Sequence, residues 1–215
     1  MVALRMSIFK LALSFFISVL PLNAWRAFGY KLLGYQIHKS KIGFGTLIAV
    51  DSFTISRAKI GWFNLFVGPM KVSIAENVSI GNQNKFICGR WVLQEQYQKF
   101  NYTRALQIEN SALITSNHYF DVVGTFILGA RSWIAGVESQ FWTHGAGAQN
   151  RAIKIGSDCY IGSAVRFAPG ASIADNSLVA LGSVVTNQFH AGYVLIGGAP
   201  ARVLKENYNW KTDVE

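Results

Sequence analysis

Charge is scarce in this chain. Lys, Arg, Asp and Glu make up 14% of its 215 residues, against roughly 25% in ordinary soluble domains. Acid is scarcest at the start: residues 1–50 hold six bases (Arg5, Lys10, Arg26, Lys31, Lys39, Lys41) and no Asp or Glu. The net charge of +9 therefore divides as +6 for that stretch and +3 for the rest, which holds 14 bases (20 − 6) and 11 acids. A nucleic-acid binder should cluster its bases among the motifs of such folds, and these bases are not so placed. Cysteine is nearly absent: Cys88 and Cys159 give neither a disulfide framework nor metal-ligand spacing. Disorder is excluded by an apolar content of 51%. The length suits one domain whose core needs no disulfide or metal.

The apolar residues concentrate first at the N-terminus. In Ser7 to Leu20, SIFKLALSFFISVL, the polar residues Ser7, Lys10, Ser14 and Ser18 fall on one narrow helical stripe, and Pro21 ends the run. A second amphipathic helix is expected from Asn23, as N-cap, to about Leu33, with Gly34 as its stop. The first run is too short for a bilayer span and contains Lys10. A signal peptide with Leu22-Asn23-Ala24 as a weak cleavage site is one reading. Packing on the body or in an oligomer interface is another. The reading adopted is a pair of interfacial helices, basic and aromatic at the rim, that hold residues 1–33 on a membrane surface.

The body repeats with a period of six. Ile155, Ile161, Phe167, Ile173, Val179 and Val185 follow one another without a slip. The fifth position of each hexad is small or slim (Cys159, Val165, Ala171, Ser177, Ser183), and the second is Gly or Ala. The period also holds over Ile42, Ile48, Ile60, Phe66 and Val72, with Thr54 in the missing slot, over Ile74, Ile80 and Phe86, and over Ile108, Ile114 and Phe120. A two-residue slip then leads to Leu128, Ile134 and Gln140. Neither a helix nor an alternating strand has this period. It fits a prism of stacked parallel strands, with one large residue per face filling the axis and a small one at each corner. The fold expected is all-β: a parallel β-helix over 37–187, preceded by an amphipathic helical segment over 1–36. A capping segment with a short helix, 188–215, would close it.

Function is sought where the repeat breaks. One break spans residues 88–107 and carries Trp91, Tyr97, Phe100 and Tyr102. It could line an acceptor site, touch membrane, or pack on the prism or a neighbour. A second puts His118 and His144 at small positions, in ITSNHY and QFWTHG, with Gln140 where an aliphatic is expected. Counting one coil plus the slip stacks Glu138 over His118 and puts Gly124 under His144. A third is the glycine-rich excursion 145–152 directly after His144. Imidazole is suited to removing a hydroxyl proton near neutral pH. His144 is the candidate base, with His118 structural, substrate-orienting or catalytic, and with Asp121 or Glu138 to orient a histidine. Trp91, Gln140 and Trp142 are candidate acceptor contacts. A γ-type carbonic anhydrase would need a close histidine pair, and the histidines stand at 38, 118, 144 and 190.

Ile37 to Glu206 resembles the hexapeptide-repeat acetyltransferases. The run IGSDCYIGSAVRFAPGASIADNSLVALGSVVT, followed by IGGAPARVLKE, is similar to the galactoside and maltose acetyltransferase branch. TSNHYFD with SQFWTH looks like a subgroup found beside polysaccharide-biosynthesis enzymes. The resemblance implies a left-handed β-helix, a homotrimer, acetyl-CoA as co-substrate in a groove between subunits, and no metal. It implies that His144 deprotonates a sugar hydroxyl for direct attack on the thioester. It places the backbone amide of Ser163 by the thioester, Thr186 by the pantetheine and adenine end, and Arg202 by the CoA phosphates, with Gly197 and Gly198 allowing close approach. Leu181 departs from the small residue usual at its position. The acceptor expected is a sugar of a surface polysaccharide or its lipid-linked precursor. The work would then be done by a peripheral protein on the cytoplasmic side of the inner membrane, where acetyl-CoA is available. An N-acetyl or longer-chain acyltransferase, or a non-catalytic membrane scaffold, stays open as an alternative.

Overall fold

The computed structural model describes residues 2–212, with side chains from residue 9 onward; Arg5 and Ser7 of the expected N-terminal pattern lie outside the described side chains. Two helices, α1 (Val2–Ser18) and α2 (Asn23–Leu32), precede a parallel coil of three strand columns. Two long strands, Leu47–Ser56 and Leu65–Ile74, bend across one corner and join the first two columns. The first column continues through Lys85–Ile87, Tyr119–Asp121, Gln140–Trp142, Arg166–Phe167 and Val184–Val185. The second continues through Ala105–Ile108, Thr125–Leu128, Ala152–Ile155, Ser172–Ile173 and Gln188–Phe189. The third runs from Lys41–Ile42 to Leu195–Gly198.

Among the described residues no helix follows Pro200. Residues Ala201–Lys205 instead form a strand, antiparallel to Leu195–Gly198. The chain reverses where Gly198 takes a positive φ of +97°, and the returning strand gives the last edge of the third column its hydrogen-bond partner.

The axis is filled as the period requires, with one correction. Gln140 points outward, and its neighbour Phe141 fills the axis, fully buried. The strand register pairs Tyr119 with Gln140, so the slip is three residues rather than two. The extra residue is absorbed in the corner before Gln140. Ser139, not Glu138, therefore lies over His118. Thr54 also points outward, and Phe53 and Ile55 are the buried residues there. Phe66, Phe86, Phe120, Phe141 and Phe167 form a stacked column with centroids 4.4, 4.4, 4.7 and 5.3 Å apart. Each such pair adds about 0.5–1.5 kcal/mol beyond area burial. The column is the rigid spine to which the outward residues of each strand are fixed.

The first coil has no coil beneath it, and its bare strand edge is closed by side chains of the helices and of the segment after them. Ser14 Oγ donates to Ile48 O at 2.7 Å and accepts from Ile48 N–H at 2.9 Å. Tyr35 Oη accepts from Val50 N–H and donates to Val50 O, both at 3.1 Å. Asn23 Oδ1 accepts from Ile42 N–H at 2.8 Å, and Arg26 Nε donates to Ile42 O at 2.9 Å. Tyr30 Oη donates to Thr46 O at 2.6 Å. Asn23 is thus the first helical residue with its amide turned to the coil, and Leu22 is the N-cap. An unpaired buried backbone group costs about 1–3 kcal/mol, which is why the polar stripe faces inward. Ser14→Ala strips the Ile48 N–H of its partner and leaves Ile48 O only the longer 3.3 Å bond from Tyr35 Oη, and a loss of about 1–3 kcal/mol is expected. It would be read as a lower urea midpoint with an unchanged slope.

Candidate active site

The strand Gln140–Trp142 ends in Thr143 and His144, at the edge of the first column. Thr143 is buried and His144 is half-exposed. Asp121, on the strand below, is buried with a relative exposure of 4%. Its Oδ2 accepts from the backbone N–H of Thr143 at 2.9 Å and of His144 at 3.1 Å. The same oxygen lies 2.8 Å from His144 Nδ1. Because Asp121 pairs with Trp142 in register, its side chain reaches one and two residues further along the upper strand. Nδ1–H donation to the carboxylate leaves the Nε2 lone pair directed away from it, the tautomer a general base needs. The bond to Asp121 raises the His144 pKa above its ordinary 6.5, against the opposing pull of burial and of Arg151.

Two further supports were not read from the sequence. Thr143 Oγ1 accepts from Gly124 N–H at 2.8 Å and sits 2.8 Å from Asp121 Oδ2. A Cβ on Gly124 would come within 1.9 Å of Arg151 O, so only glycine admits the chain returning from the excursion after His144. Arg151 in turn lies over the rings of Phe100 and Tyr102, 5.5 and 4.9 Å from their centroids. That clamps the glycine-rich excursion to the longer one, which leaves the coil after Ile87 and rejoins it at Ala105. Trp91, at the head of the longer excursion, stands 5.3 Å from the His144 ring and packs on Tyr97 and Tyr102. The result is an aromatic wall over one side of the imidazole.

The remaining candidate acids and bases separate from this dyad. His118 is buried and belongs to a corner ladder with Asn64 and Asn84. Asn84 N–H donates to Asn64 Oδ1, His118 N–H to Asn84 Oδ1, and Ser139 N–H to His118 Nδ1, at 2.9, 2.9 and 3.1 Å. With Nδ1 accepting, Nε2–H donates to Thr115 Oγ1 at 2.9 Å. Imidazole fits a slot read as too small for it because Asn does the same work one and two coils below. Burial lowers the His118 pKa to about 4 from its usual 6.5. The unfolded chain therefore takes up a proton that the folded chain refuses, and stability falls as the pH drops from 6.5 towards 4. His118→Asn is expected to keep the ladder and to flatten that acid dependence in thermal melts. Glu138 sits at the opposite edge of the column, its N–H bonded to Asn117 O, and bonds neither histidine. It lines a groove of about 570 Å³ with Lys85, Tyr119, Gln140 and Trp142. There Tyr119 and Trp142 pair with centroids 4.9 Å apart, and Trp142 Nε1 donates to Gln140 Oε1 at 3.2 Å.

No protein-family model matches the chain. It is 43% identical over 54 residues to the galactoside O-acetyltransferase of Escherichia coli K12, a match spanning 25% of this chain and about a quarter (26%) of that relative. The solved polysialic acid O-acetyltransferase OatWY superposes with a TM-score of 0.52 at 17% identity, covering 84% of this chain and 88% of that one. The chain has the fold of that O-acetyltransferase. A hexapeptide-repeat acetyltransferase from Vibrio cholerae O1 biovar eltor, solved with acetyl coenzyme A, gives 0.48 at 21% identity over 95% and 87% of the two chains.

On this fold the expected donor residues divide between two edges of the first column. Ser163 shares a corner with Leu181 and Gly198, by the register of Tyr160–Ile161 with Leu178–Val179 and of that pair with Leu195–Ile196. Leu181 is 78% exposed, and a Cβ on the adjacent Gly182 would meet nothing within 4 Å, so this corner has room for an extended ligand. Gly136 keeps it so from below: a Cβ there would strike Ser163 Oγ at 1.7 Å. Gly197 is backed by Leu204, whose Cδ1 would be 2.6 Å from an added Cβ; the open glycine is Gly198. Arg202 is exposed on the closing strand. Thr186 belongs to the other edge, two coils above Trp142 in the column that carries His144. One coil separates the two edges by five residues, Ser163 to Ala168, at most roughly 17 Å at about 3.3 Å per residue.

Proposed function

We propose that the protein is an acetyl-CoA-dependent O-acetyltransferase acting on a sugar hydroxyl of a surface polysaccharide or its lipid-linked precursor. The observation that carries this is the Asp121–His144 dyad, with Nε2 turned from the carboxylate beside an aromatic wall. His144 Nε2 accepts the acceptor's hydroxyl proton as the oxygen bonds to the acetyl carbonyl carbon. The carbonyl π pair becomes an oxyanion, held by backbone N–H donors such as that of Ser163. Collapse of this intermediate breaks the carbon–sulfur bond, and the imidazolium returns its proton to the departing thiolate. No redox change or further reactant enters the balance. Acetyl-CoA supplies the activated acyl group; the chain supplies the base, its orientation and the oxyanion donors.

The two-edge arrangement supports a homotrimer, in which the Ser163–Gly198 corner of one subunit meets the His144 edge of its neighbour; the left hand of the coil is taken from the resemblance to hexapeptide-repeat acetyltransferases. The exposed ring of Trp142 and the amide of Gln140, on the outer face of the column between the Glu138 and His144 edges, suit a sugar, whose apolar face stacks on an aromatic ring while its hydroxyls bond polar groups. The working position in this reading is the cytoplasmic side of the inner membrane.

The test is thiol release from acetyl-CoA with a panel of sugars and lipid-linked glycans as acceptors. Acceptor-dependent release supports the reading. Binding of acetyl-CoA without release to any hydroxyl acceptor, but with release to an amine, would replace it with N-acetyl transfer.

A further inference from the structure

The cap formed by α1 and α2 has its polarity reversed relative to helices that pack on a core. The polar residues face the coil, where Ser14 and Ser18 are buried. Facing outward instead are Phe9, Phe15 and Phe16 of α1 and Trp25 and Phe28 of α2, each at least half exposed at 65, 56, 66, 53 and 63%. The aromatic surface continues onto the coil at Trp62 and Phe63, 61 and 50% exposed. No described helix is long and apolar enough to cross a membrane. Around this end Lys31, Lys39, Lys41 and Lys59 are exposed, in a region whose first 50 residues hold no acid.

We propose that the cap seats the coil stack end-on upon an anionic lipid leaflet. The outward faces of both helices enter the headgroup boundary, aromatic residues rim the contact, and the four lysines meet lipid phosphate. Charge selects this occupant. A second copy docked head-to-head would press two acid-poor lysine rims together, whereas an anionic leaflet neutralises one. The described part of the polar stripe has no part in the contact: Lys10 and Ser14 bond to the first coil, and Ser18 Oγ donates to Phe15 O within α1.

The geometry has a consequence for the acceptor. Four strand spacings separate Leu47–Ser56 from Gln140–Trp142, roughly 19 Å at about 4.8 Å each. A helix of about 10 Å diameter lies between that first strand and the leaflet. His144 is therefore held some way above the headgroups and serves a sugar well along a glycan chain, not the unit at its lipid anchor. This consequence rests on the acetyl-transfer reading; the docking does not.

The full chain should float with vesicles of phosphatidylcholine and phosphatidylglycerol, more weakly as salt rises, and poorly with phosphatidylcholine alone. The double variant Phe16→Glu/Phe28→Glu should lose flotation while keeping thiol release with a soluble sugar acceptor. Lys39→Glu/Lys41→Glu should lower the salt at which flotation fails. Three results would overturn the proposal: a wild-type chain that stays behind with anionic vesicles, a Phe16→Glu/Phe28→Glu variant that floats unchanged, or a lipid-free assembly that this variant halves in mass. Flotation without any thiol release would leave the docking standing and remove only the acetyl-transfer reading.

Discussion

His144→Ala is expected to lower acetyl transfer by roughly 10²–10⁴, the usual share of a positioned general base. Binding of acetyl-CoA should be nearly unchanged, because the donor residues lie at another corner and two coils higher. The loss should therefore fall on kcat rather than on the KM for acetyl-CoA. The wild-type rate should rise with pH as the imidazole loses its proton. Its half-point should lie above the usual 6.5, because Asp121 favours the protonated ring. The variant should lose that limb of the profile altogether. The fold should survive, since the Asp121 contacts to the two backbone N–H groups do not need the ring. Full activity in the folded variant would remove His144 as the base.

The coil was legible because a period of six leaves few other architectures, and the buried axis at Ile155, Ile161 and Phe167 follows it. The dyad was less so, for a reason of register. Choosing between Asp121 and Glu138 depends on which residue stacks on which. The extra residue before Phe141 carries no local signature, since it adds only length to a polar corner. With Gln140 counted as axial, every residue from Glu138 to His144 is displaced by one against the strand below. The observed pairing of Asp121 with Trp142 decides for Asp121. Arg151, and the place of the candidate acceptor contact Trp91 beside the His144 ring, were beyond sequence for another reason: contacts between two excursions depend on how each leaves the coil, which no periodicity encodes.

The N-terminal helices show a second limit. An amphipathic pattern says that a helix has two faces; it does not say which face is solvated. On a core of side chains the apolar face turns inward. The open end of a coil is instead a row of backbone N–H and C=O groups, and it takes the polar face. Ser14 and Tyr35 each satisfy a donor and an acceptor of one strand residue, as a further strand would have done. The acid-free, aromatic character of the region is thereby moved to the outside, where a capping role gives it no use.

Asp121→Asn is the second large effect expected, and it separates orientation from base chemistry. One carboxylate oxygen serves three N–H groups, those of Thr143, His144 and the His144 ring. If the amide oxygen of Asn takes that place, the contacts persist but the charge is gone. The imidazolium formed on proton abstraction then lacks its counter-charge, and the ring's pKa falls. If the amide nitrogen takes it, donor faces donor and the ring turns to the wrong tautomer. In the comparable Ser-His-Asp arrangement this substitution costs roughly 10⁴ in kcat. Here a loss of about 10²–10⁴ is expected, with the remaining activity showing its acid limb at lower pH than wild type. The direction of that limb distinguishes the roles. A purely structural aspartate would lower the rate equally at every pH, whereas an orienting carboxylate moves the limb. Glu138→Gln, at the far edge of the column, should leave the limb where it is. A shift in Glu138→Gln with none in Asp121→Asn would reverse the assignment.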